Sequence, residues 1–395
     1  MLTYGKNKYN KTTLLSKLIK ESYCYSWGKN MKITALEIYR VEIPYKKSYK
    51  IAKHVVIKII TDFGIEGWGE AYTLSLRQPD IFFLIKHYLA LSILGSNPLE
   101  ISKIMLNLEK VLKENYHAKC AIDHALYDIA GKFYNVPVYL ILGGAYRKHF
   151  NVSFTIDEKT PEQTVKTAQR LFDEGYQRLG LRFPIVEGQP KSELSVLELI
   201  RKKLGDNVAL EVDFNGNYDK HTSLKLMQSM EAFNVESFEQ PVAGEQLENM
   251  VELTEKINTP IVADESIRDF HSCLNIIQKK AADVLCIKPF KVGGIYYSKK
   301  IQLLAETFYY NISTGSMHPL GIGTAALQHF IASLPFFTTA SYGSPMERLI
   351  DDITLTTSFT FKNGVVTLNE QPGLGVTIDN NKLKKYTTKF VRIEK

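Results

Sequence analysis

The sequence predicts an α/β protein: a (β/α) barrel, TIM-like but modified, with a separate α+β capping domain formed from both chain ends. Three observations predict it. From residue 149 onward, short apolar runs alternate with amphipathic helical segments at a period of about 25 residues, that of a βα unit. Before that region the chain reads as strands (31–75) and then helices (80–148), and strand-and-turn texture returns from 352. Polar residues fall at the C-terminal ends of several apolar runs, where barrels gather chemistry-bearing groups.

Taken in order, residues 1–30 carry six lysines against the single acid Glu21, a net of +5 out of the total of +7, which leaves +2 for residues 31–395. The basic excess therefore belongs to a leader and not to a folded face, so it gives no sign of a nucleic-acid partner. The leader has no apolar core with a small-residue cleavage site and no arginine, and it reads as a disordered extension or an upstream start. The chain contains no apolar run near the roughly 20 residues a membrane span needs. Its four cysteines form no C-x-x-C pair, which argues against a disulfide framework or a zinc site and for a reducing cytoplasm.

Within 31–75, ITALEIYRVEI and HVVIKIITDF read as strands, followed by a turn, GIEGWGEAYT; PYKKSYKIAKH between them reads as a mobile loop. Ile122, Ala125, Leu126, Ile129, Ala130 and Phe133 then make one apolar helical stripe. Seven strand–helix units follow, NVSFTI opening the first, with an eighth strand available at FFTTASY. The expected organisation is a leader (1–30), a cap (31–148, completed by 352–395) and a catalytic barrel (149–351), the tail from 352 packing back on the N-terminal domain. An open dinucleotide-binding sheet would want G-x-G-x-x-G after its first strand, and none is present.

Asp213 ends VALEVDF, Glu239 ends ESFEQP and Asp264 ends PIVADES, at separations of 26 and 25 residues. Adjacent parallel strands would bring these carboxylates to one rim, where like charges repel strongly. A hard divalent cation reconciles them, Mg²⁺ with Mn²⁺ as an alternative, and Asn215 and Glu265 sit nearby as supporting groups. Lys288 lies 24 residues after Asp264 at the end of an apolar strand. Beside a cation and partly desolvated, its pKa should fall, which makes it a candidate base; Lys291, beyond the Pro–Phe turn, reads as solvated.

These segments resemble the enolase superfamily, in its muconate-lactonizing-like (mandelate racemase/muconate lactonizing enzyme) branch. The resemblance spans about 31–390 and rests on GIEGWGEA, AIDHALYDIAGKFYNVPVYLILGG, VDFNGN, FEQP, ADES, IKPFKVGG, GIGTAALQHFIASLP and PGLGV. It implies Asp213, Glu239 and Asp264 as Mg²⁺ ligands and Lys288 as the acid/base lysine of the sixth barrel strand. It also implies substrate cover from the loop near 45–54 and the turn near 72–79. The chemistry general to that superfamily is a Lys or His base with Mg²⁺ stabilising an enediolate, and the association favours a symmetric homo-oligomer.

Two departures bear on the reaction. Where the family places Lys-x-Lys, YQRLGLRFP puts Gly180 and Arg182. An arginine stays protonated, so Arg182 is a charge stabiliser and not a base. Where the branch tends to carry a glutamate before GIGTAA, this chain reads SMHPLGIGTAA, with Pro319 or a neighbour in that place. His318 beside it is a substitute acid/base group or a packing histidine. The leading expectation is a one-base dehydratase or cycloisomerase acting on a small carboxylic acid. The alternatives are a racemase or epimerase of amino-acid derivatives with an unrecognised second base, and a catalytically silent metal-binding barrel.

Overall fold

The structure, a computed structural model, describes residues 31–48, 50–73, 80–185, 191–340 and 343–394. The leader and residues 74–79 of the expected substrate cover lie outside these ranges.

The N-terminal sheet is antiparallel, with β1 (Ile33–Pro44), β2 (Ile51–Thr61) and β3 (Glu66–Thr73) in sequence order. Residues 51–54, expected in a loop, are the first residues of β2, and the loop is shorter. The segment expected as a turn, GIEGWGEAYT, is largely strand β3. Its glycines serve packing: a Cβ on Gly67 or Gly69 would collide with the carbonyl oxygens of Ala125 and Ala121. A helix backbone therefore lies directly on β3, an approach that only glycine permits.

That helix is α2 (Tyr116–Tyr134), which follows a helical segment at 81–93 and α1 (Ile101–Val111). Its stripe of Ile122, Ala125, Leu126 and Ile129 enters the cap core with Leu36, Ile38, Ile57 and Ile59 of the sheet. The expected single apolar face is only half of the helix, since Asp123, His124 and Asp128 are also fully buried. Asp128 accepts the Trp68 and Leu374 amides, each at 2.9 Å, and pairs with Lys132. Asp123 accepts the amides of Ile295 and Tyr296 from the barrel.

The run NVSFTI, residues 151–156, is not one strand, since its first residue closes the strand before it. β4 (His149–Asn151) leaves the barrel to pair with a strand of the tail, and only β5 (Phe154–Ile156) opens the barrel. From there the chain runs α3 (Pro161–Asp173), β6 (Arg178–Arg182), α4 (Lys191–Leu204), β7 (Ala209–Asp213), α5 (Lys220–Met230) and β8 (Ser237–Glu239). It continues through α6 (Leu247–Lys256), β9 (Ile261–Ala263), α7 (Phe270–Lys279), β10 (Val284–Cys286), α8 (Ile295–Thr307), β11 (Asn311–Thr314), α9 (Gly321–Ala332) and β12 (Phe337–Ala340). The eight strands β5 to β12 form one parallel sheet in sequence order, curled as a modified barrel. Asp or Thr side chains start several of these helices; Thr160 caps α3, Asp219 caps α5 and Asp269 caps α7 in a capping box.

The tail holds β13 (Thr354–Thr356), β14 (Phe359–Lys362), β15 (Val365–Leu368), β16 (Thr377–Ile378) and β17 (Thr387–Glu394). β14 and β15 form a hairpin through Asn363-Gly364, both at positive φ (52° and 71°), and β15 pairs with β4. Among the described tail strands, β17 alone pairs with the N-terminal sheet, running antiparallel to β1 with Leu36 opposite Ile393.

Candidate active site

Strand register brings the singled-out residues to one mouth. Arg182 ends β6, Asp213 ends β7 and Glu239 ends β8, and they are paired in register across the three strands. Asp264 follows β9 directly, and Lys288 opens the short helix Pro289–Val292 just beyond β10. β6 and β10 are the second and sixth of the eight strands, so Arg182 and Lys288 face each other across the mouth. Together with Ser316, His318 and Arg348 they line a pocket of about 450 Å³, counting space open to solvent.

Charge is tightly balanced here. Lys288 Nζ contacts Asp264 and lies 3.7 Å from Glu239 Oε1. Lys291 Nζ bonds both the backbone carbonyl and, at 2.6 Å, Oδ1 of Asp264. Burial alone would raise the Asp264 carboxyl, but the two ammonium groups hold it far below the usual carboxylate range. Arg182 donates to Asp213 Oδ2 from Nε (3.4 Å) and Nη2 (3.3 Å). Burial still pushes Asp213 up, against the opposing pull of Arg182. Glu239 fares worst: burial and then the neighbouring Asp213 charge drive it well above its ordinary value.

One expectation is corrected. Lys291 is not solvated: the short helix after Pro289 folds it back onto Asp264, leaving its side chain 16 % exposed. The Lys288 pKa, expected to fall beside a cation, is set here by the chain's own groups alone. Burial pulls it down, but Asp264, Cys286, Glu239 and Glu265 outweigh burial and hold the ammonium well above its ordinary range. Sequence reasoning missed Lys291 because its environment depends on a four-residue helix with no periodic signal.

Asn215 and Glu265 are joined, Asn215 Nδ2 donating to Glu265 Oε1 at 2.9 Å, while the Asn215 amide donates to Asp213 Oδ1 at 2.9 Å. The Glu265 carboxyl is pushed up to about 6 by burial and then by the Asp264 charge. His318 lines the pocket at φ 54°, and its Nδ1 lies 3.3 Å from the Tyr45 hydroxyl. Burial, and then Arg348 and Arg182, hold it well below its usual pKa, so the imidazole is neutral. Pro319 is buried beside it and brings no acid to the site.

The donor set suits a hard divalent cation. Glu239 and Asp264 each place an oxygen within 4.8 Å of one another and of the Cys286 sulfur. A second Glu265 oxygen, Oε2, is buried with no hydrogen-bond partner among the described residues. A buried carboxylate cluster with an oxygen still to be partnered accommodates an oxygen-ligated cation.

A parallel barrel with carboxylates on three successive strand ends, a lysine on the next and a cap built on strands from both chain ends defines a class, the enolase-type barrel enzymes. The comparisons agree. The model for the mandelate racemase/muconate lactonizing enzyme N-terminal domain matches residues 36–143, and that for the enolase C-terminal domain-like family matches 163–382. The chain belongs to this family and is an enzyme of the enolase superfamily, in its muconate-lactonizing-like branch. It is similar to N-succinyl-L-Arg/Lys racemase of Bacillus cereus, 30 % identical over 90 % of this chain and 98 % of that one. It is also similar to muconate cycloisomerase 1 of Rhodococcus opacus, 28 % identical over 91 % of this chain and 99 % of that one. Among solved structures, muconate lactonizing enzyme of Pseudomonas fluorescens with muconolactone superposes with a TM-score of 0.86 at 27 % identity, covering 91 % of this chain and all of that one. Enzymes of this branch are generally Mg²⁺-dependent. Among the described residues no helix is long and apolar enough to cross a membrane.

Proposed function

We propose that this chain is a Mg²⁺-dependent enzyme that forms an enolate next to the carboxylate of a small organic acid, with Lys288 moving the proton. The observation that carries this reading is the placement of Asp213, Glu239 and Asp264 on successive strands with Lys288 on the next. Asp213, Glu239 and Asp264 would hold the cation, which supplies the positive charge that stabilises an enolate. With Asp264 and Glu239 engaged that way, the Lys288 ammonium would lose two of the partners that keep it protonated. Burial, which lowers its proton affinity, is then left to act, and Lys288 can take or return a proton at the carbon beside the carboxylate. Arg182, on the opposite strand, stays charged and serves as a clamp for the carboxylate or the developing oxyanion. One base on one face favours a dehydratase or cycloisomerase.

A second reading, racemisation or epimerisation of an amino-acid derivative, draws on His318. It is neutral and in the same pocket, and the chain is similar to an N-succinyl-L-Arg/Lys racemase. Three buried free cysteines, Cys120, Cys273 and Cys286, support a reducing, cytoplasmic setting. The test is a panel of acid sugars, muconates and N-acyl amino acids assayed after EDTA treatment and again with Mg²⁺. Turnover of at least one acid only with the cation is expected. Equal turnover without it would remove the metal from the account, and tight Mg²⁺ binding with no turnover at all would favour a silent barrel.

A further inference from the structure

One buried carboxylate of the cap touches the pocket wall without lining the pocket. Glu70, on β3, is fully buried, and both its oxygens are spent on the start of a barrel helix. Oε1 accepts the Leu320 amide and Oε2 the Gly323 amide, each at 2.8 Å. Helix α9 begins at Gly321 with Leu320 as its N-cap, and Leu320 has no side chain able to cap it. The first turn of a barrel helix thus takes its anionic cap from another domain. Gly323 is required for this approach, since a Cβ there would stand 2.9 Å from Glu70 Oε2 and 2.6 Å from the Phe290 ring. His54 of β2, also fully buried, fixes the carboxylate from behind with Nδ1 at 2.9 Å from Oε1.

The same strand reaches the preceding turn a second way. Tyr72, two residues after Glu70 and so on the same face of β3, shares a 2.6 Å hydrogen bond with the Tyr45 hydroxyl. Tyr45 in turn contacts His318 Nδ1. The segment 316–320 is therefore held at 318 through Tyr45 and at 320 through Glu70. It carries Ser316 and His318 into the pocket, and His318 sits at φ 54°, a left-handed conformation that a histidine keeps only where its surroundings over-determine it.

We propose that Glu70 is a positioning residue for the active site: from the cap it clamps the 316–320 turn, with Tyr72 and Tyr45, and so fixes His318 and Ser316 in the pocket. The proposal rests on this pocket being the catalytic centre, but its test requires no turnover. Glu70→Gln keeps the shape yet offers one acceptor oxygen and one NH₂ group to two amide donors, so one of the two bonds is lost.

The experiment is nitrogen NMR of the full chain labelled at histidine with ¹⁵N, the His318 ring signals being identified by their loss in His318→Gln. Glu70→Gln should shift or broaden the His318 ring signals, and Tyr72→Phe should do the same by removing one hydroxyl. Asp128→Asn is the matched control: it also strips a buried carboxylate of its two-amide role, at the Trp68–Leu374 junction, and should lower the melting temperature while leaving His318 unmoved. If a substrate is in hand, Glu70→Gln should lower kcat about 10- to 100-fold with KM little changed, the signature of a misplaced group. Should Glu70→Gln fail to fold, Glu70→Asp takes its place, since the shorter side chain cannot reach both amides. His318 signals unchanged in the folded Glu70 variant would overturn the proposal and leave Glu70 a purely structural cap.

Discussion

Two ammonium groups share one carboxylate at the barrel mouth. Lys288 and Lys291 both bond Asp264, whose side chain is only 4 % exposed. A divalent cation binding there must compete with both. Lys291→Met should therefore tighten Mg²⁺ binding at least about tenfold, since a like charge about 4 Å away opposes it by about 4 kcal/mol at protein-surface dielectric and tenfold needs only about 1.4 kcal/mol. Calorimetric titration with Mg²⁺ checks this, and weaker binding would mean that Lys291 holds Asp264 in place instead of competing for it. Asp213→Asn, Glu239→Gln and Asp264→Asn should each weaken Mg²⁺ binding with the barrel still folded, by circular dichroism; near-normal affinity in any of them would remove that residue from the ligand set. At this scale the acids and Lys288 were legible because a βα unit has a fixed length, so spacing alone aligns strand ends. Lys291 and Glu70 were not, because the direction of each side chain is set by packing between distant segments.

Elements meet here through backbone-to-backbone approach and borrowed caps. β3 lies flush on α2 only because Gly67 and Gly69 lack a Cβ. Gly69→Ala should lower stability by about 3 kcal/mol or more, since backbone, not a flexible side chain, stands in the way. Gly64→Ala, at φ 71° with open space around it, should cost only about 1 kcal/mol. Urea unfolding monitored by circular dichroism ranks them, and equal midpoints would show that β3 and α2 separate easily. The same glycines misled the sequence reading into a turn, since close packing and tight turning ask for the same residue.

A second test concerns Asp123, which links α2 to the start of α8. Burial pushes its carboxyl up to about 8, against the pull of the Tyr296 and Ile295 amides, from an ordinary value of 3.8. The raised value means that its contribution to stability is complete below about pH 4, declines as pH rises and is gone above about 8. Relative to Asp123→Asn, which cannot ionise, the wild-type chain should lose about 1.4 kcal/mol per pH unit between roughly pH 5 and 8. A difference independent of pH would show that Asp123 is already ionised at its helix start.

For the whole molecule, the cap and barrel are joined by buried carboxylates, Asp123 on α8 and Glu70 on α9, while Asp128 ties the N-terminal part of the cap to the tail at Leu374. The barrel was legible in the sequence from its period, and the cap from strands at both ends. The pairing of β4 with β15 was not, since residues 149–156 are strand-like throughout and only the tail hairpin decides where the run breaks. The central claim, a single lysine working beside a cation held by three carboxylates, is a claim about one proton on one carbon. It is tested most directly by proton NMR in ²H₂O with Mg²⁺, following deuterium at the carbon next to the carboxylate of an accepted acid. The account predicts exchange from one face only, dependent on Mg²⁺, with no interconversion of stereoisomers, and slowed about two to four orders of magnitude in Lys288→Ala. Exchange at the wild-type rate in Lys288→Ala, or efficient racemisation by the wild-type chain, would contradict it.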